Sequence, residues 1–229
     1  MNSQALNTMA KILQEWGIVL SDKNKSQLLN YQSLIIDRNE SVGLVSRRDV
    51  GRIIQRHFLE SLVLSREIKF HPALIVMDFG CGAGFPSIPL KIVFPEFHLY
   101  LVESQRKKAL FLQKVIYELG LQYVTVLCER GEKLSSSPDF RETFDIVFAR
   151  AVAPLEKVVE WCLPFLAEQG RLLVPGAPGE DLPKVEQRFT IWGGIRRIKM
   201  LPENMEFQGA RKELEVIEIR AIKKQRDVY

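Results

Sequence analysis

Residues 74–86 of this 229-residue chain have the sequence Leu74-Ile75-Val76-Met77-Asp78-Phe79-Gly80-Cys81-Gly82-Ala83-Gly84-Phe85-Pro86. A continuous apolar run of this length predicts a β-strand that is buried on both faces of a parallel sheet. The glycines follow at the carboxyl end of that strand, where open α/β sheets bind their ligands. Glycine has no Cβ and allows positive φ, so we expect Gly80, Gly82 and Gly84 to let a ligand approach the backbone. Pro86 is expected in the first turn of the next helix.

The spacing of these glycines separates two kinds of nucleotide site. A dinucleotide-binding fold is expected to carry Gly-x-Gly-x-x-Gly. This chain instead has glycines at every second position, preceded by the carboxylate of Asp78. That pattern resembles the first motif of S-adenosylmethionine-dependent methyltransferases. The alternative is a glycine-rich turn that serves only for packing.

The amino-acid composition limits the classes of protein to which this chain can belong. The chain is 46% hydrophobic and 26% charged, which is enough to bury a sizeable core, and its net charge of +4 permits but does not require a nucleic-acid partner. Its three cysteines, Cys81, Cys128 and Cys162, have neither metal-ligand spacing nor a disulfide pattern. No apolar run is long enough to cross a membrane. We therefore expect a cytoplasmic protein without a metal ion. A monomer is expected, but the sequence leaves the oligomeric state open.

The chain is predicted to have two parts. Apolar residues recur at helical spacing over Gln4–Trp16, Lys23–Asp37 and Asp49–Leu64, so residues 1–70 are expected to form a helical extension. Residues 71–229 are expected to form an α/β domain with a seven-stranded, mostly parallel sheet flanked by helices. After the first strand, the other six are predicted at 97–102, 124–128, 144–148, 171–174, 195–200 and 214–222, the last two as an antiparallel pair at the sheet edge. Helices are predicted at 88–93, 106–119, 155–166 and 181–189.

Four groups of residues follow strands and are expected at one rim of the sheet. Glu103 can accept hydrogen bonds from the two hydroxyls of a ribose, or can simply be a carboxylate at a helix N-terminus. Gly131 and Glu132 could contact an adenine ring, although a solvated loop glutamate is the commoner outcome. Phe85 can face the adenosine or belong to the core. Arg150 could hold the cofactor's carboxylate, a phosphate or a guanine edge, or form a surface salt bridge.

The segment after the fourth predicted strand indicates what the protein does not do. Residues 148–154 lack the Asn/Asp-Pro-Pro-aromatic motif of methyltransferases that act on exocyclic amines, and they lack the Pro-Cys nucleophile used for 5-methylpyrimidines. Cys81 is a poor nucleophile candidate because no histidine accompanies it. We therefore assign no catalytic acid, base or nucleophile.

Basic residues in the helical extension suggest a contact with RNA. Arg48, Arg52 and Arg56 stand at i, i+4 and i+8, so a regular helix would place them on one face, with His57 beside them. Such a row can follow a phosphate backbone. Lys107, in another basic cluster, is expected to contribute. The alternative is a solvated helix face with ion pairs.

Several separate motifs resemble the RsmG (GidB) family of small-subunit ribosomal RNA methyltransferases. They are Arg56-His57-x-x-Glu60-Ser61, the glycine segment 78–86, Glu103-Ser104 with Lys107 and Phe111-Leu112, Arg130-Gly131-Glu132, and Ala149-Arg150-Ala151. The resemblance implies a Rossmann-like class I methyltransferase fold, S-adenosylmethionine as cofactor, and N7 of a guanine in a 16S rRNA loop as acceptor. The partner would be 16S rRNA or the small ribosomal subunit. By position, the cofactor contacts would include Gly80, Phe85, Gly131, Glu132 and Arg150.

The chain departs from that family at three places. It has Glu60 where the family usually has aspartate, Ser87 where it usually has glycine, and Pro175-Gly176 where it usually has Lys-Gly. The rival functions are a small-molecule methyltransferase and a nucleotide-binding protein without catalysis. The glycine spacing disfavours NAD-dependent redox chemistry.

Overall fold

A computed structural model describes residues 2–176, 182, 183, 185, 194–200 and 214–220. Its centre is a seven-stranded sheet in the order β3-β2-β1-β4-β5-β7-β6. The strands are β1 Ile75–Phe79, β2 His98–Val102, β3 Val124–Leu127, β4 Phe144–Ala149, β5 Leu166–Pro175, β6 Ile195–Lys199 and β7 Glu215–Arg220. The first five are parallel, and β7 pairs antiparallel with both β5 and β6. This confirms the predicted sheet, including the antiparallel pair at its edge.

Helices cover both faces of the sheet. They are α1 Asn2–Glu15, α2 Asp22–Val42, α3 Leu59–Val63, α4 Ser87–Val93, α5 Arg106–Leu119, α6 Gly131–Leu134 and α7 Leu155–Cys162. One group of buried apolar residues joins α1, α2, α4 and α5 to the sheet, and a second group joins α7 to it. Because apolar side chains pack on both faces, β1 has the continuous apolar sequence from which it was predicted.

Two expectations about the helices of the α/β domain differ from the structure, and a third lies mostly outside the described residues. The helix predicted for 155–166 ends at Cys162, because a short 3₁₀ turn at Leu163–Phe165 leads directly into β5. Pro86 precedes the first turn of α4, which begins at Ser87. Of the helix predicted for 181–189, only residues 182, 183 and 185 are among the described residues.

The third predicted helix of the extension is helical but irregular. Val50–Arg52 is a 3₁₀ turn, Ile54–Phe58 is a π-helical turn, and only then does α3 begin. A π turn adds a residue to the helical repeat and so rotates the side chains that follow it. The regular helix predicted to carry the i, i+4, i+8 row of arginines is therefore wrong, since Arg52 ends the 3₁₀ segment and Arg56 lies within the π turn. Arg48 lies in the turn before the 3₁₀ segment.

The extension packs directly against the glycine loop. The buried side chain of Tyr31, on α2, donates a hydrogen bond to the carbonyl oxygen of Ala83 at 2.5 Å. The side chain of Asn24 donates to the carbonyl oxygen of Ile92, and that of Gln27 donates to Leu119 at the end of α5. Helix α2 of the extension therefore contacts the loop after β1 and also the helices α4 and α5. In the described part of the chain no helix is both long and apolar enough to span a membrane.

Candidate functional site

The strand register aligns the carboxyl ends of four strands. Phe79 at the end of β1 lies opposite Val102 on one side and Ala149 on the other, and Val102 lies opposite Leu127. The segments that follow these strands therefore meet at one rim, as parallel topology requires. They contain the glycine loop, Glu103, the Arg130–Glu132 segment and Arg150.

The three glycines of the loop have different roles. All three have positive φ: 66° at Gly80, 59° at Gly82 and 102° at Gly84. A Cβ on Gly80 would lie 2.8 Å from Val152, and one on Gly84 would lie 2.5 Å from Ile88, so tight packing excludes side chains there. A Cβ on Gly82 would meet no atom within 4 Å. The sequence-based expectation of open backbone at all three glycines thus holds only for Gly82.

Glu103 holds the loop in place from β2. One carboxylate oxygen accepts a hydrogen bond from the N–H of Gly82 at 3.0 Å, and the other accepts from Gln105 at 2.8 Å. The side chain is buried, with 5% of its surface exposed. A carboxylate offers about four acceptor positions, so these two bonds leave capacity for ribose hydroxyls. Glu103 therefore also shapes the loop, a role that the sequence had not indicated.

Two ionisable groups beneath the loop are fully buried. Burial raises the pKa of Asp78 to about 7. The hydrogen bonds from Ser87 and the positive charge of Arg150 lower this pKa but do not offset the effect of burial. Asp78 Oδ2 accepts a hydrogen bond from the N–H of Ser87 at 3.3 Å. Burial also raises the pKa of the Cys81 thiol, and the neighbouring Asp78 and Glu103 charges raise it further. Because the thiolate is the reactive form, Cys81 is unsuited to nucleophilic attack, as expected.

Phe85 belongs to an aromatic cluster beneath the loop. Its ring stacks on His57 with centroids 4.5 Å apart, and it lies 5.6 Å from Tyr31 and 6.1 Å from Phe58. Only 7% of Phe85 is exposed, which favours the core role that the sequence left open. His57, predicted to contact RNA, is thereby held against the loop by this ring.

Arg150 and Arg56 share a buried carboxylate. Glu60, on α3, has 3% of its side chain exposed. Its Oε2 accepts a hydrogen bond from Arg150 at 2.9 Å, and its Oε1 lies 3.5 Å from Nε of Arg56. Arg150 also donates to the main-chain oxygen of Arg56 at 3.4 Å. The i, i+4 spacing of Arg56 and Glu60 could have predicted one ion pair from sequence. Nothing local predicts the link to Arg150, which is 90 residues away.

The remaining predicted residues differ in their packing and exposure. Gly131 starts α6, and a Cβ on it would lie 1.9 Å from the Phe79 ring, so the glycine is required for packing. Glu132 and Lys107 are exposed. Arg52 pairs with Asp49 at 3.0 Å with 42% of its side chain exposed. Ala151, next to Arg150, has a φ of 54°, a conformation that non-glycine residues rarely adopt and that often marks functional sites.

Comparison with known proteins identifies the family. A family model described as rRNA small subunit methyltransferase G matches residues 24–181. The chain belongs to this family. The protein named ribosomal RNA small subunit methyltransferase G from Pelotomaculum thermopropionicum is 37% identical over 212 residues, covering 92% of this chain and 88% of that one. Proteins of the same name from Staphylococcus haemolyticus (39%; 82% of this chain and 78% of that one) and Chloroflexus aggregans (41%; 78% and 76%) are also similar.

Solved structures confirm the class I methyltransferase fold. TYW2 from Pyrococcus horikoshii, in complex with MeSAdo, has a TM-score of 0.55 at 13% identity, covering 79% of this chain and 65% of that one. A variant of MtNAS in complex with S-adenosylmethionine has a TM-score of 0.54 at 19% identity, covering 94% and 77%. An O-methyltransferase from Thermotoga maritima has a TM-score of 0.55 at 14% identity, covering 83% and 72%. At these identities the likeness concerns the fold alone.

The rim of this methyltransferase G family member fits S-adenosylmethionine. A Cβ on Gly82 would project into open space, and the carboxylate of Glu103 accepts a hydrogen bond from the N–H of the same residue. Replacing Gly82 with valine is expected to abolish most cofactor binding, because the side chain projects into that space. Isothermal titration calorimetry with S-adenosylmethionine measures this, with at least a ten-fold loss of affinity expected, or about 1.4 kcal/mol.

Gly120→Val is the matched control for this prediction. Gly120 has a φ of 63°, close to that of Gly82, and its Cβ would also meet open space, but it ends α5. Both variants bear the strain of a side chain at positive φ, about 1–2 kcal/mol. Only the Gly82 variant should lose affinity, and equal affinity of the two folded variants would contradict the assignment.

Replacing Glu60 with glutamine should destabilise the protein, because an amide cannot balance two guanidinium charges. We expect a loss of about 2–3 kcal/mol in urea unfolding, less than for a fully buried pair because the arginines retain some exposure. Glu60→Asp keeps the charge and should lose less than half as much. Equal stability of the glutamine and aspartate variants would show that the charge does not matter here.

Proposed function

We propose that this protein transfers the methyl group of S-adenosylmethionine to N7 of a guanine in 16S rRNA. The observation that carries the proposal is the family match over residues 24–181, which includes every segment of the rim described above. The open backbone at Gly82 beside Glu103 supports it independently. We further propose that the protein acts in the cytoplasm as a monomer on rRNA or on the small ribosomal subunit.

The residues of the rim would bind and orient the cofactor. Glu103 would accept hydrogen bonds from the ribose hydroxyls, while Gly131 and Glu132 would contact the adenine. Arg150, whose guanidinium Glu60 holds at the rim, is suited to the carboxylate of the methionine portion. Phe85 would support the loop through the aromatic cluster rather than face the adenosine. When bound, S-adenosylmethionine supplies a methyl group on a positively charged sulfur.

The acceptor chemistry requires little else from the protein. N7 of guanine has a lone pair in the plane of the ring and no proton to remove, so no general base is needed. The protein's contribution is alignment, and proximity can be worth up to about 7–11 kcal/mol. Positive charge develops on the purine, so a nearby carboxylate helps. The guanine must lie in a loop or be splayed out, because the major groove of A-form RNA is too narrow for side chains.

The helical extension, residues 1–70, would contribute to RNA binding on the same side as the glycine loop. Arg48 is exposed and Arg52 is partly exposed, so both can reach a phosphate. Arg56 is engaged with Glu60, and its side chain is 21% exposed, so its role is chiefly to complete the buried ion cluster. Arg48 and Arg52 therefore carry the proposed contact of this segment.

Nucleoside mass spectrometry of 16S rRNA tests the reaction. RNA from cells with the gene should contain one more 7-methylguanosine per 16S rRNA than RNA from cells without it. Restoring the wild-type gene should restore the nucleoside, whereas the Gly82→Val gene should not. Unchanged 7-methylguanosine in the 16S rRNA of the deletion strain would contradict the proposal. Methylation of a small molecule that binds in an enclosed apolar pocket would then favour the rival function, a small-molecule methyltransferase.

Arg52→Glu should weaken RNA binding and leave S-adenosylmethionine affinity unchanged. The reversal of charge should lower the slope of log affinity against log salt by about 1. Filter binding of 16S rRNA at several salt concentrations measures this, with calorimetry for the cofactor. Lys11→Glu, at an exposed position of α1, is the control for a general change of charge. Equal RNA affinity of the two variants at low salt would contradict a role for Arg52.

A further inference from the structure

The outer face of α5 combines positive charge with exposed apolar groups. Lys107, Leu110, Lys114 and Tyr117 follow each other at intervals of three, four and three residues, so they lie on one side of this helix. The opposite side, with Phe111, Leu112 and Val115, is buried. Residues 107 to 117 span about 15 Å along the helix axis. These four residues, Lys107, Leu110, Lys114 and Tyr117, form the α5 face.

The apolar members of the α5 face are unusually accessible. Tyr117 is 85% exposed, the highest value among the exposed large hydrophobic side chains that the structure describes, and Leu110 is 54% exposed. A tyrosine ring in this position contributes nothing to the core of the protein. It does present a flat aromatic surface on which a base can stack.

The charges on this helix cannot be explained by helix stability. Arg106, Lys107 and Lys108 occupy the first turn of α5, which contains no acidic residue. The N-terminus of a helix carries a partial positive charge, so cations there are unfavourable. Neither Lys107 nor Lys114 forms an ion pair within 4 Å with any residue in the described part of the chain. Their charge is therefore available to an outside partner.

The α5 face begins at the cofactor rim. Gln105, directly before α5, donates a hydrogen bond to Glu103, which in turn binds the loop at Gly82. An RNA whose guanine lies at the rim would thus have its neighbouring nucleotides close to Lys107. A polyanion with unstacked bases matches both the charge and the exposed aromatic ring of this face.

We infer that the α5 face binds a single-stranded part of the rRNA substrate, next to the methylated guanine. The inference rests on the proposed function and adds Leu110, Lys114 and Tyr117 to its RNA contacts. Lys107 and Lys114 contact phosphates, and Tyr117 stacks on a base, with Leu110 beside it. One acidic residue, Glu118, lies at the margin of this face and leaves its balance positive.

Two kinds of substitution separate charge from stacking. The double variant Lys107→Gln/Lys114→Gln should lower the slope of log affinity against log salt by about 1 to 2, since each phosphate contact contributes about 0.7–0.9. Tyr117→Ala should weaken binding about ten-fold without changing that slope. Tyr117→Phe keeps the ring and should bind as wild type does. Lys157→Gln, on α7 against the other face of the sheet, is the charge control.

Binding of protein-free 16S rRNA to the full-length protein is measured at several salt concentrations, beside methylation of the same RNA and cofactor affinity. The inference is supported if cofactor affinity is unchanged, the lysine variant loses slope, and Tyr117→Ala but not Tyr117→Phe loses affinity. The inference is overturned if all variants bind the RNA as tightly as the wild-type protein does and the wild-type protein methylates that RNA. This outcome would leave the proposed function intact. The inference is also overturned if the variants fail only on assembled subunits, because the face then contacts ribosomal protein. Absence of both RNA binding and methylation in the wild type would reject the proposed function as well.

Discussion

The backbone between Gly80 and Gly84 must keep a conformation that most residues cannot adopt, and the rest of the structure is arranged around this requirement. Its three glycines have positive φ, and the loop is held on two sides. Tyr31 binds the carbonyl oxygen of Ala83 from the helical extension, and Glu103 binds the N–H of Gly82 from β2. A loop fixed by buried partners can present its backbone to a ligand without a further cost of ordering at the moment of binding.

The extension and the α/β core therefore share one site. The aromatic cluster of Tyr31, Phe58, Phe85 and His57 joins them beneath the loop, and the buried Glu60 joins them beside it. Residues that would meet RNA and residues that would meet the cofactor are in contact through these groups. The two parts of the chain are thus joined by packed side chains and an ion pair at this place.

The absence of a catalytic acid, base or nucleophile in the motifs has a simple chemical reading. Under the proposed function the acceptor, guanine N7, is already a nucleophile, so selectivity would depend on which nucleotide is presented and not on how it is activated. Specificity would then depend on surfaces that hold RNA, and we propose Arg48 and Arg52 in the extension and the α5 face for this role. Charge on these surfaces would steer the polyanion, and stacking on an exposed ring would select unpaired nucleotides.

The sequence by itself was sufficient to predict the sheet, the glycine loop, the boundaries of α5 and the family, because these depend on local patterns: apolar runs, glycine spacing and caps such as Gly120. It could not predict that Gly80, Gly84 and Gly131 are required by packing against Val152, Ile88 and Phe79, since those neighbours are distant in the chain or depend on the path of the loop. Nor could it show that a 3₁₀ turn and a π turn replace the regular helix predicted around Arg52 and Arg56. Only the tertiary structure decided that Arg150 and Arg56 share one carboxylate, because a buried charge takes whichever partners the fold brings within reach.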